Sequence, residues 1–106
     1  MSTNLYRNHR RGMTLLASCP NVVSKLSGLG TFEHACSVAL WRPVIEETVA
    51  LFGAARCLFG SNFPIESLWT TYAEVVAAVR KSLLRYGTDE RRAVLHDTAV
   101  RLYRLA

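Results

Sequence analysis

The chain has 106 residues, half of them apolar and one-fifth charged, with a formal net charge of +5. That length allows one small domain, and the composition excludes a disordered or fibrous chain. Lys25 and Lys81 are the only lysines, and the arginines are scattered without interleaved aromatics, so solvated helix faces are expected rather than a nucleic-acid-binding tract.

Residues 1–8, MSTNLYRN, are polar and read as a disordered tail, which leaves 9–106 as the folded segment. HRRGMTLLASC follows, with Met13, Leu15, Leu16 and Cys19 at helical spacing, and Pro20 ends it. The paired arginines and Leu-Ala-Ser-Cys imitate a lipoprotein leader. The apolar core from Met13 to Ala17 is only five residues long, against about 7–15 in a secretory signal. A cytoplasmic protein is therefore expected, with no membrane-spanning stretch. Cys19, Cys36 and Cys57 lie far apart without a C-x-x-C, so they are expected to be small buried thiols, neither bridged nor metal-bound.

Val22 to Leu26 carries adjacent β-branched residues and stops near Gly28, as a strand would. Residues 29–40 read as a loop. WRPVIEETVALFG then reads as a helix, with Pro43 in its first turn, Gly53 as its cap, and Val44, Ile45, Val49 and Phe52 on its buried side. RCLFG, residues 56–60, is a second strand. The next helix is expected from a Ser67 cap to Gly87, with Leu68, Tyr72, Val75, Val76, Val79 and Leu83 as its apolar stripe. Thr88 is expected to cap a last helix whose inner face is Val94, Leu95, Ala99, Leu102 and Tyr103.

Two strands about 35 residues apart with a helix between them form a right-handed βαβ unit. Both strands are apolar without alternation, as in a parallel sheet covered on both faces. Two such strands do not make a stable sheet alone, so the pattern is that of part of a larger α/β fold. In such folds, functional groups sit just past the carboxyl ends of the strands. That rule selects Lys25, Ser27 and Gly28 after the first strand, and Gly60, Ser61 and Asn62 after the second. A ligand-facing mouth and plain turn chemistry both satisfy these residues.

NVVSKLSGLG, ALFGAARCLFGSNFPIESLW and RRAVLHDTAVRLYRL, in this order and spacing, resemble the closing segments of the amidohydrolase-2 family. These are metal-dependent TIM-barrel hydrolases, lactonases among them. The resemblance runs from Met13 to Leu105 and implies the C-terminal part of a (β/α)8 barrel, with Val22–Leu26 as the seventh strand and Gly60-Ser61-Asn62 closing the eighth. It implies hydrolysis of a lactone or related C–O or C–N bond, a small-molecule substrate, and a divalent metal, zinc or manganese, in the intact enzyme.

At the position of Asn62 the family has a carboxylate that binds metal or acts as base. An amide carries no charge and accepts no proton, so it acts by hydrogen bonds or as a weak oxygen ligand. Asn62 is the catalytic candidate on this resemblance, with Lys25, Ser61 and Trp69 as substrate-binding candidates. The family's metal-binding histidines have no counterpart here: His9, His34 and His96 lack ligand spacing, so no metal ligand is expected from this chain. Arg56 is expected to tie the start of the second strand to its surroundings, and His96-Asp97 to lie on a helix surface without facing each other. The chain alone is expected to be inactive. It either joins its missing N-terminal part, or persists as a non-catalytic remnant that associates through its strand edges. A small basic binding module is the third reading.

Overall fold

The computed structural model describes residues 3–30 and 34–104. The helices and strands run in the order α1 (Thr3–Ala17), β1 (Ser24–Leu26), α2 (Val38–Phe52), β2 (Cys57–Phe59), α3 (Tyr72–Ser82), α4 (Thr88–Arg92) and α5 (Thr98–Tyr103). Single 3-10 turns precede β2 at Ala54–Arg56 and α3 at Ile65–Leu68, and a π-helical segment, Ala93–Asp97, joins α4 to α5. No described helix is long and apolar enough to cross a membrane.

β1 and β2 pair in parallel, with Ser24 opposite Cys57, Lys25 opposite Leu58 and Leu26 opposite Phe59. Gly60 N–H extends the ladder by one bond, donating to the Leu26 carbonyl at 2.9 Å. Side chains alternate along a strand, so Lys25 and Leu58 share one face. Leu26 and Phe59 share the other, which is packed with α2 and α3. There Leu26, Trp41, Ile45, Val49, Phe52, Cys57, Val75, Val79 and Leu83 form the core together with Val94 from the π-helical segment. A fully buried side chain such as Ile45, Val79 or Leu83 contributes about 1.5–3 kcal/mol.

Several boundaries differ from expectation. The proposed disordered tail is helical from Thr3, and Met1 and Ser2 lie outside the described residues. Adding residues to an existing helix costs little, and nothing before Gly12 interrupts it. The strands are three residues each, shorter than the sequence suggested.

α2 begins three residues before Trp41, because the Ser37 hydroxyl accepts from Leu40 N–H at 3.3 Å and caps it there. Pro43 is therefore inside the helix rather than in its first turn, and no N–H from residue 43 reaches the Ala39 carbonyl. Val44 is exposed, whereas Trp41 and Thr48 are buried in its place. Gly53 does cap the end at φ +82°, with its N–H on the Val49 carbonyl at 2.7 Å.

α3 starts at Tyr72 rather than Ser67. Thr71 accepts from Glu74 N–H at 3.1 Å, the Thr-x-x-Glu arrangement of a capping box, while the Ser67 hydroxyl bonds back to the Pro64 carbonyl. Leu68 and Tyr72, expected in the apolar stripe, are exposed. The last helix is capped by Gly87 without a side-chain bond, not by Thr88. Leu102 and Tyr103 are also exposed, because the inserted π turn rotates the face that a regular helix would present.

Arg56 ties β2 to the preceding chain, as expected. Its guanidinium donates to four carbonyls, those of Phe52 at 3.0 Å, Cys19 at 2.9 Å, Val22 at 3.2 Å and Ala17 at 2.9 Å. α5 is fixed to the same corner, with the Thr98 hydroxyl on the Ala54 carbonyl at 3.1 Å and Arg101 on the Ala55 carbonyl. These bonds lie at the amino end of β2 and leave the carboxyl end to the loops.

Candidate active site

The carboxyl ends of β1 and β2 bring Lys25, Ser27, Gly28, Gly60, Ser61 and Asn62 side by side. The Lys25 side chain runs along its face toward the strand end and crosses Gly60: a methyl group at residue 60 would stand 2.5 Å from Lys25 Cε and 3.0 Å from Ser27 Oγ. Only glycine admits that approach. Ser61 comes off the opposite face and lines a small cavity with Ser27, Gly60 and Glu66.

Asn62 adopts φ +58°, a left-handed conformation that Asn and Asp tolerate better than other side chains. Its carbonyl accepts from Glu66 N–H at 3.1 Å, and Phe63 N–H reaches the Ser61 hydroxyl at 3.4 Å. The Phe63–Pro64 bond is cis. Asn62 thus has a turn role whatever its chemistry, and the backbone there suits an Asp as well as an Asn.

Trp69 is half-buried and stacked on His34, with ring centroids 4.8 Å apart. It stands against Gly30 in the loop after β1, where a methyl group would lie 3.2 Å from its Nε1. It borders the strand-end cluster from the side of that loop.

The remaining candidates separate. His96 and Asp97 do touch, with Nδ1 and Oδ1 2.9 Å apart, contrary to expectation. The π turn brings these adjacent side chains together, and the His96 bond holds the Asp97 carboxyl below its usual range. Both are exposed, and the pair is built into the terminal helix. Of the three thiols only Cys57 is buried; Cys36 is half-buried and Cys19 exposed. Burial pushes the Cys57 thiol up to about 11, and Cys36 is raised in the same direction by burial.

Sequence reasoning passed over Glu66. It is 1% exposed, the most deeply buried acidic side chain described. The available signal was a carboxylate four residues after Asn62, inside an otherwise apolar turn. Among the described residues no group of three or more His, Cys, Asp or Glu side chains is placed to hold a metal ion. Asn62 offers a single neutral oxygen, so these residues alone do not fit a catalytic metal.

Two parallel strands packed on helices, with a cluster of polar residues at their carboxyl ends, have the architecture of part of a parallel α/β barrel. The sequence model of the family described as Amidohydrolase matches residues 3–105. The chain belongs to that family. It is 33% identical over 103 residues to the L-fucono-1,5-lactonase of Burkholderia multivorans, covering 91% of this chain and 35% of that protein. It is 37% identical over 100 residues to the uncharacterised protein y4mH of Sinorhizobium fredii, covering 94% of this chain and 34% of that one. A crystal structure of a Burkholderia multivorans amidohydrolase with bound zinc superposes with a TM-score of 0.83 at 32% identity, over 92% of this chain and 37% of that one. The chain therefore spans about a third of the length of these relatives, and its fold is part of a TIM barrel.

Proposed function

We propose that this chain supplies two strands and the adjoining mouth loops of a hydrolase that opens a lactone or a related small cyclic ester, and that it is inactive alone. The observation that carries this is the convergence of Lys25, Ser27, Gly60, Ser61 and Asn62 at neighbouring strand ends. In a hydrolase of this class water attacks the ester carbonyl and negative charge develops on its oxygen. The Lys25 ammonium is suited to hold that charge or a substrate carboxylate. The Asn62 amide orients substrate hydroxyls by hydrogen bonds, and Trp69 offers an apolar wall beside it; the Ser61 hydroxyl, expected to bind substrate, instead faces the small cavity and accepts from Phe63 N–H. Asn62 accepts no proton, so it is not the base that activates water. The divalent metal of the family, zinc or manganese, takes its ligands outside this chain.

The lactonase relative supports the substrate class, and the short sheet supports the need for a partner. β1 and β2 have no further strand beside them among the described residues, and a parallel sheet of two strands calls for more. The same open edges suit the alternative, a non-catalytic module that only associates. Co-expression with the N-terminal two-thirds of the Burkholderia lactonase separates the two. Lactone hydrolysis by the co-purified pair, and none by either part alone, supports the hydrolase reading. A stable but inactive pair supports the association module.

A further inference from the structure

Just beneath the strand ends, buried polar atoms stand without partners among the described residues. Glu66 Oε2 is an acceptor, and Trp41 Nε1 is a donor. They belong to different loops: Trp41 opens the buried face of α2 after β1, and Glu66 sits in the 3-10 turn after β2. Both line one cavity of about 10 Å³, whose other walls include Ser27, Ser61, Phe59 and Val75. That volume holds one water and nothing larger. Half of the wall is hydrocarbon, where a carboxyl is stable only if it is hydrogen-bonded.

We propose that one water fills this cavity and bridges the Trp41 indole N–H to Glu66 Oε2, with the Ser27 and Ser61 hydroxyls as its further neighbours. Glu66 is then a positioning residue. Its side chain is anchored to α2 through the water, and its backbone N–H holds the Asn62 carbonyl at 3.1 Å. The bridge therefore sets Asn62 against the loop that follows β1. Gly60 admits Ser27 beside this arrangement, and a methyl group at Gly30 would meet the Ala35 carbonyl first and then Trp41 Cζ2 at 3.1 Å. The inference concerns how two loops are held together and stands whether or not the assembled protein is a hydrolase.

The test is nuclear magnetic resonance on the ¹⁵N-labelled full chain. Trp41 and Trp69 are its only tryptophans, so two indole N–H signals are expected, and Trp69→Phe assigns them. The Trp41 proton should exchange with solvent at least about tenfold more slowly than a free indole, and show a cross-peak to a long-lived water. Glu66→Gln keeps an acceptor and should retain both features. Glu66→Leu removes it, and should abolish the water cross-peak and move the Asn62 signals. A space-filling role alone would leave the cross-peak in Glu66→Leu, which overturns the proposal. So does free-indole exchange at Trp41 in the unaltered chain, a result that needs no variant to fold.

Discussion

Lys25 lies over Gly60, so close that a methyl group at residue 60 would meet Lys25 Cε at 2.5 Å and Ser27 Cβ at 3.1 Å. Lys25 is in β1 and Gly60 directly follows β2, so the contact joins the ends of the two neighbouring strands. The Lys25 side chain is flexible, and the shortest of the three approaches is with its far end. Gly60→Ala should therefore cost no more than about 1–2 kcal/mol in urea unfolding while pushing the ammonium aside. In the proposed assembled hydrolase, Gly60→Ala and Lys25→Ala should then raise KM alike. A normal KM in both would remove Lys25 from substrate binding.

Arg56 should matter to stability and not to chemistry. One guanidinium bonds four carbonyls from α1, the following turn and α2, with charge-assisted bonds among the stronger kind. Arg56→Ala should lower the unfolding free energy by about 2–4 kcal/mol. Arg56→Lys should recover little of it, because an ammonium cannot span the same carbonyls. Full recovery by lysine would show that charge rather than the forked geometry is what matters.

The two hydroxyls competing to start α3 can be ranked. Thr71→Ala removes the bond to Glu74 N–H and should cost about 0.5–2 kcal/mol. Ser67→Ala, in a preceding turn and exposed, should cost less than Thr71→Ala in the same denaturation series. The reverse order would place the functional cap at Ser67.

Cys57 sets a pH dependence. Its thiol moves from 9.0 to about 11 because burial disfavours the thiolate. The folded state thus binds this proton more tightly than the unfolded state. Its contribution to stability is constant below about 9 and is lost as pH rises from there toward 11. Cys57→Ala should flatten that alkaline decline in thermal melts. At pH 8, alkylating reagents should modify the exposed Cys19 first and Cys57 last.

The helix–strand order, the parallel pairing and the strand-end cluster were legible because they rest on strong signals: apolar runs, Gly53 and the Gly-Ser-Asn stop. The exact helix starts were not, because Ser37 and Thr71 out-compete the nearer candidates for the cap, and a capping box at Thr71–Glu74 is easily overlooked among several hydroxyls. Leu68, Tyr72, Leu102 and Tyr103 fit a regular helical stripe on paper. A 3-10 turn and a π turn shift them into solvent, and neither has a strong sequence mark. Glu66 was missed because polar residues in turns are usually solvated; its burial depends on the packing of α2 against α3, which no local pattern carries.

The proposed role of these strand ends is to form part of a working barrel mouth. The most direct measurement replaces the matching third of the Burkholderia multivorans L-fucono-1,5-lactonase with residues 3–105 of this chain and follows lactone hydrolysis in the folded chimera, alone and with Lys25→Ala or Asn62→Ala. The chimera should hydrolyse the lactone, and each variant should lose at least about tenfold in kcat/KM, roughly 1.4 kcal/mol. A folded chimera without activity, or one indifferent to both substitutions, would contradict this role.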